Sequence, residues 1–449
     1  MDGEKRHLAL AGAIVEKARK MGADVAEAYL LHARELSIEV SEGQVETLKL
    51  AEDQGVGIRV FRDSRMGFAY SSSLEERALE KVIQQAVANS ALSEKDEFLT
   101  MPQGGFTYPS LDIFDPGITQ VAVEDKVELA KEIESIARAR DSRVKITEAA
   151  SYSDSEYEVF VANSQGIQAS YRAANCGAYA FMVAEENGDS QNGLGLQYGL
   201  HYGELNPAQI GTEAADNALR MLGARTIPTQ RATIVLDNRV ANGFLGLLAP
   251  ALSSDAVQKG KSLLAGKMGT AVTAKNITII DNGRLEGAVM SAPFDGEGVA
   301  TAENILIDSG VLSGYMYNTY TAARDGVKST GNGKRGSFKG TPEVGTTNFY
   351  IKAGEITREQ LFNGVETGLF ITEVMGMHTA NPITGDFSVG VAGLWIEKGQ
   401  PVYPVRGITL AGNLLDMFSR VEAVASDLRF LGSKGSPTIR LAPMMLSGN

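Results

Sequence analysis

Cysteine is nearly absent from this sequence: Cys176 stands alone among 449 residues. A disulfide within the chain and every cysteine-rich zinc module are thereby excluded, and the lone thiol fits a reducing compartment. Histidine is almost as scarce, and His7, His32, His201 and His378 lie too far apart for any two to share a helix face as metal ligands. Long apolar runs are missing as well. No uncharged window exceeds 15 residues; the one from Val240 to Ser254 is interrupted by Asn242 and Pro250, while Met1 to Leu10 holds charges but no apolar core of signal-peptide length. Positive charge is in deficit: 42 Lys and Arg against 55 Asp and Glu leave a formal charge of −13 with no segregated basic patch. That disfavours a polyanion-binding surface. These absences predict a soluble, cytoplasmic chain that binds neither nucleic acid nor membrane.

Glycine is what the chain has in excess, 49 residues against a usual share of roughly 7 %. Much of it sits at turns or inside strand-like runs, which points to a β-rich fold. The chain opens with an amphipathic helix over His7 to Met21, whose Leu8, Ala11, Ile14, Val15 and Ala18 share a face. Strand-like runs follow over Val25–Val40, Gln44–Leu50, Gly55–Phe61 and Gly67–Ser71, separated by turn residues such as Asp53-Gln54-Gly55. A second helix is expected from the capping box Ser73-Leu74-Glu75-Glu76. After a Pro- and Gly-bearing stretch from Met101 to Gly117 the same order returns. It comprises a helix over Glu124–Arg138, strands over Val144–Tyr152, Glu156–Val161, Gly166–Tyr171 and Gly177–Val183, and a helix capped by Asn206 with Pro207 at its first position. From about Arg231 the texture changes to short strands and glycine turns. The expected class is α+β: two helix-meander-helix units over residues 1–115 and 116–228, read as a structural duplication, then a mostly β unit over 229–449.

Few strings carry recognisable chemistry. Gly331-Asn332-Gly333-Lys334-Arg335-Gly336 satisfies GxGxxG, but no buried strand precedes it and no helix start follows, so it reads as a mobile basic surface loop rather than a dinucleotide site. Cys176, in a strand-like run beside Gly177, reads as a buried structural thiol. The densest polar segment is Met375 to Gly390, which packs His378, Thr379, Asn381 and Asp386 into one loop before a strand holding Ser388, Gly390 and Gly393. Two readings stand side by side. Either the loop faces a ligand, with the strand glycines letting an extended peptide approach a sheet, or its polar groups only satisfy their own backbone.

The string MGMHTANPITGDFSVGVAGLWIEKGQPVYPVRGITLAGNLLDMF resembles the TldD/PmbA family, as do FDGEG at Phe294–Gly298, GVLSGYMYNTYTA at Gly310–Ala322 and STGNGKRGSF at Ser329–Phe338. The likeness covers nearly the whole third unit, and the two segments before it look like the family's first two regions. It implies a two-subunit bacterial peptidase whose TldD-type member carries a zinc helix of pattern HExxxH and a distal cysteine ligand. The chain looks like the other member, the PmbA or TldE type, whose family role includes maturation of a modified peptide antibiotic and degradation of an antitoxin. Where the resemblance places the zinc helix, this chain reads NRVANGFLGLLAPALSSDAVQ, and where it places the cysteine it has Phe430 to Pro437. Neither stretch holds His, Glu or Cys.

The resemblance therefore implies a cytoplasmic, non-zinc-binding subunit, without cofactor of its own, that joins a zinc-bearing TldD-type homologue and acts on extended peptides. His378, Thr379, Asn381, Asp386, Ser388, Gly390 and Gly393 are its candidate substrate contacts. A catalytically inert homodimeric peptide-binding or scaffold protein is the rival, and an independent hydrolase using His378 as general base is a third reading. Dimerisation is expected through the third unit, whose glycine-rich strands offer edges that need covering.

Overall fold

Residues 2–448 are described by the computed structural model; Met1 and Asn449, the outer bounds of the first and third units as read from sequence, lie outside them. Alternation along the strands builds the N-terminal half. Its elements are α1 (Asp2–Lys20), β1 (Val25–Ser41), β2 (Gln44–Arg62), β3 (Arg65–Ser71), α2 (Glu76–Ser90), α3 (Val123–Ala139), β4 (Val144–Asn163), β5 (Gln168–Glu186), β6 (Asp189–Gly199) and α4 (Pro207–Leu219). The two units do not make separate sheets. Antiparallel pairing of β1 with β4, from Glu27↔Asn163 to Val40↔Ala150, fuses their meanders into one six-stranded sheet of order β3-β2-β1-β4-β5-β6. That order is symmetric about the β1–β4 seam. On one face Ala26, Ala28 and Leu30 pack under α1 and α2, and Leu36, Ile38 and Val40 pack with the apolar faces of α3 and α4. The other face meets the C-terminal half, with Tyr29, Val159 and Val161 against Phe294 and Phe338.

Several local readings are corrected by this pairing. Asp53-Gln54-Gly55 is not a turn: β2 runs unbroken for 19 residues because β1 pairs with it throughout, Gln54 opposite His32. Gly55 answers to close approach instead, since a Cβ there would lie 2.3 Å from the Phe338 ring and 2.4 Å from the Ser71 carbonyl oxygen. The four expected strands of the second unit likewise merge into β4 and β5, with Asp154 buried mid-strand against Lys126 Nζ at 2.6 Å. The capping box at Ser73 does not form; α2 starts at Glu76 without a side-chain cap, and the Ser73 hydroxyl accepts from Glu75 N–H instead. Asn206 does cap α4, accepting from Gln209 N–H at 3.0 Å.

The C-terminal half comprises β7 (Gln230–Leu236), α5 (Asn238–Leu248), β8 (Ile279–Asn282), β9 (Glu303–Asp308), β10 (Phe349–Ile351), β11 (Thr367–Met375), β12 (Asp386–Glu397), β13 (Gln400–Asn413), β14 (Val421–Val424), β15 (Lys434–Ser436) and β16 (Ile439–Ser447). β7, β11, β12, β13 and β16 close on themselves, because β16 pairs with β7 along its length and with β13 at Thr409↔Ser447 and Leu410↔Leu446. A second sheet holds β9, β8, β10 and β15, and α5 packs against strands of both. The closure removes the argument for dimerisation through this unit: the glycine-rich strands β11 and β12 already have neighbours on both sides. Among the described residues no helix is long and apolar enough to cross a membrane.

Candidate functional site

Turn residues shape the Met375–Gly390 loop, with Gly376 and Gly385 at φ +82° and +81° and a 3-10 turn at Met377–Thr379. Most of its polar groups are used locally. The Thr379 hydroxyl donates to the Gly376 carbonyl at 2.8 Å, and Asn381 Oδ1 accepts from Ile383 and Thr384 N–H at 2.9 and 3.2 Å. Asp386 accepts from Asn413 Nδ2 at 2.9 Å and from the Thr384 hydroxyl at 2.8 Å, hydrogen bonds that hold its carboxyl below the usual range. His378 and Ser388 are exposed. Gly393 is not open to a peptide: the place of its missing Cβ is taken by the Phe370 carbonyl oxygen of β11, 1.9 Å away, beside a register shift at Ile371/Glu373. At Gly390 the nearest atom is Met375 Cε at 3.4 Å, an ordinary contact.

This loop lies beside α5. A Cβ at Gly243 would stand 2.9 Å from Met377 Cε, and on the same helix Asn242 Nδ2 donates to the Lys434 carbonyl at 2.9 Å. Two stretches nearly two hundred residues apart, the ones that the resemblance assigns to zinc ligands, thus meet at one place. What meets there does not fit zinc. Val240, Ala241, Phe244, Leu245 and Leu248 face the core, Asn238 and Asn242 are amides, and the facing strand offers a lysine carbonyl and serine. Zinc needs imidazole, thiolate or carboxylate donors. Among the described residues no three His, Cys, Asp or Glu side chains converge to hold a metal ion.

A second site was not legible as such. Between the open face of the N-terminal sheet and the loops Met290–Thr301 and Gly331–Thr347 lies a cleft of about 320 Å³. Tyr29, Tyr157, Tyr171 and Phe294 give it an aromatic lining, and Asn175 and Lys334 add polar groups. The Gly331–Gly336 string, expected to be a mobile surface loop, is partly buried in its wall: Gly331, Asn332 and Gly333 are buried, while Lys334 and Gly336 stay exposed. Asn332 is 1 % exposed and the Arg335 side chain is fully buried, ion-paired with Glu27 and stacked 4.8 Å from the Tyr29 ring centroid. Arg335 also donates to the Gly296 carbonyl at 2.7 Å, while Arg59 bridges Glu27 at 2.9 Å and Glu297 at 3.0 Å. Gly333 has no room for a side chain, since a Cβ would come within 2.8 Å of Glu297 Oε2. Opposite charges in two neighbouring glycine-rich strings, FDGEG and GNGKRG, were the signal available in the sequence.

Two carboxyls in this wall are pushed up. Asp281, accepting from Asn332 Nδ2 and Thr347 N–H at 2.7 Å, is raised by burial to about 6. Asp295, accepting from Glu297, Val299 and Gly333 N–H, is raised to about 8 by burial and then by the charge of Glu297. Both values exceed the unfolded carboxylate value of about 3.9, so the stability each contributes is full below that pH and is lost as pH rises through about 6 and about 8. Melting temperature is therefore expected to fall between about pH 5 and pH 8.5, and Asp281→Asn should flatten the lower part of that slope. A melting temperature that rises over the interval would contradict the assignment.

Buried Cys176, 1 % exposed with its thiol pushed up to about 12 by burial, keeps the structural role read for it.

The chain matches three family models in order: PmbA/TldA metallopeptidase domain 1 over residues 26–90, the central domain over 116–222 and the C-terminal domain over 229–448. It is 30 % identical to Metalloprotease PmbA of Escherichia coli over 430 residues, covering 95 % of this chain and 92 % of that one. A Thermotoga maritima protein described as a modulator of a DNA gyrase superposes with a TM-score of 0.91 at 27 % identity, covering 98 % of this chain and 99 % of that one. TldE of Thermococcus kodakarensis shares the fold at a TM-score of 0.90 and 21 % identity, covering 98 % and 100 %. With nearly all of its length matched in sequence and fold, the chain belongs to the PmbA/TldD metallopeptidase family and is of its PmbA (TldE) type.

Proposed function

We propose that this chain is the non-zinc-binding subunit of a PmbA/TldD-type metallopeptidase complex that processes or degrades extended peptides, with the zinc carried by a TldD-type partner. The observation that carries the reading is the meeting of α5 with Phe430–Pro437, two stretches that supply amide, apolar and small side chains where a metal would need ligands. Without those donors and a general base to deprotonate bound water, the chain has no route of its own to zinc hydrolysis. Its part is to wall the chamber and guide the peptide. Exposed His378 and Ser388 border the α5 side, where an imidazole that can donate or accept suits a peptide carbonyl. Thr379, Asn381 and Asp386 hold that loop in shape.

The test is reconstitution. The isolated chain is expected to hold no stoichiometric zinc by elemental analysis and to leave an unstructured peptide intact. Mixing with a zinc-bearing TldD-type protein should give hydrolysis that a chelator abolishes, and His378→Ala should lower that turnover while the melting temperature stays put. Cleavage by the isolated chain in chelator would overturn the reading, and unchanged turnover would remove His378 from the site.

A further inference from the structure

Strand register orders the floor of the cleft of about 320 Å³ into rows that run from aromatic to polar. Successive side chains on one face of β1 are Tyr29, Leu31, Ala33 and Glu35, and pairing through β4 to β5 sets neighbours beside them. Leu31 lies opposite Val159 and Val159 opposite Tyr171; Ala33 lies opposite Tyr157; Glu35 lies opposite Ser155 and Ser155 opposite Asn175. Phe294 roofs the aromatic end, with its ring centroid 4.9 Å from that of Tyr171, and Tyr157 is 6.1 Å from Tyr171. Both ring pairs are inclined at 82°, so the rings wall a slot rather than fill it as a stack.

Polar groups at both ends of this floor are left unused. Tyr29, 6 % exposed, and its neighbours Tyr157 and Tyr171 have hydroxyls without a hydrogen-bond partner among the described residues, whereas Tyr108, which also packs on Phe294, donates to the Gly298 carbonyl at 2.7 Å. Burial keeps all three phenols neutral, Tyr29 being pushed up to about 12. The row of Glu35, Ser155 and Asn175 likewise makes no side-chain hydrogen bond, and exposed Glu35 has no ion-pair partner among the described residues. On the opposite face of the same strands the carboxylates are paired: Arg172 donates to Glu156 at 2.7 Å and lies 3.6 Å from Glu158. Lys49 sits one row beyond Glu35, opposite Ser37, and the charge of Lys334 in the roof acts on Asp281.

We propose that this cleft binds the aromatic N-terminal residue of a peptide, with its ammonium on Glu35, Ser155 and Asn175 and its ring in the slot beside Tyr157. An ammonium carries three N–H donors, and a carboxylate, a hydroxyl and an amide oxygen supply three acceptors with one compensating charge. Rows two residues apart on a strand are separated by about 7 Å, so the amine and the side chain of a single residue can reach both. Ala33, beside Tyr157, leaves the room that a ring needs, and a ring entering there meets Tyr157 and Tyr171 in the offset or edge-on arrangements that aromatic pairs prefer. A peptide's terminal carboxylate would instead face Glu35, a like charge. The inference is independent of the proposed complex, because the cleft lies between the two halves of this chain and its occupancy is read without a zinc-bearing partner.

Calorimetric titration of the isolated chain with the tripeptide amide of phenylalanine followed by two glycines tests this. Affinity is expected to fall about tenfold on N-acetylation, which removes the charge, and about tenfold when alanine replaces phenylalanine. Glu35→Gln, a change at an exposed position, is expected to melt as the wild type does and to bring the free-amine peptide down to the affinity of the acetylated one, which itself stays put. Ala33→Leu, which fills the slot, should abolish the preference for phenylalanine over alanine. No saturable binding of the tripeptide at millimolar concentration, equal affinity of the free and acetylated peptides, or wild-type affinity in Glu35→Gln would each overturn the proposal.

Discussion

Arg59→Met is expected to cost about 3–5 kcal/mol of folding stability, the range for removing one member of a buried ion pair. The guanidinium is 5 % exposed and joins Glu27 of the N-terminal sheet to Glu297 of the C-terminal half, both carboxylates fully buried. Without it, Glu297 keeps one donor, the Thr319 N–H at 2.7 Å, and Glu27 keeps Arg335 alone. Two anions then lie out of water with too few partners. The penalty comes from those unpaired charges more than from the lost attraction, so Glu297→Gln, which can still accept from Thr319, should cost less. Urea midpoints for the two variants check this. Because the bond spans two halves of the chain, the Arg59 variant should also become more sensitive to protease in the Met290–Thr301 and Gly331–Thr347 loops. A loss below about 1 kcal/mol would mean that the network carries little of the contact between the halves.

Gly393→Ala is the second large effect. Its Cβ would sit 1.9 Å from the Phe370 carbonyl oxygen and 2.9 Å from Ile371 Cα, both backbone atoms of a paired strand that cannot swing aside. Overpacking of this kind costs about 1–3 kcal/mol and more where backbone must move. Gly390→Ala, three residues earlier on the same strand, should stay within about 0.5 kcal/mol, because its new methyl comes no closer than 3.4 Å to any atom, the nearest being Met375 Cε. Thermal melts separate the pair. A Gly393→Ala protein that melts normally yet loses peptide processing in the reconstituted complex would return Gly393 to the substrate path.

Both predictions concern residues whose roles the sequence left open. By its sequence Gly393 offers room for a peptide to approach, and the backbone that approaches is the chain's own, the Phe370 carbonyl. Arg335 stood in a string that looked solvated, because a charged residue among glycines carries no local mark of what will pack over it. Its partner Glu27 is 308 residues away. The Met375–Gly390 loop was visible from its composition, and the structure satisfies Thr379, Asn381 and Asp386 locally while leaving His378 and Ser388 exposed.

The sequence by itself determined the features that depend on neighbours a few residues away. The apolar spacing in α1, α3 and α4, the Asn206-Pro207 helix start and the turn at Asn187-Gly188, with φ of 52° and 84°, are each written in one short stretch. Only the tertiary structure decided how long the strands run, that two meanders share one sheet, that the C-terminal strands close into a barrel and that Glu27, Arg59, Glu297 and Arg335 are buried together. Strand length follows from the partner that supplies hydrogen bonds, and burial of a charge follows from the counter-charge that meets it. Both partners come from distant parts of the chain, so no local pattern records them.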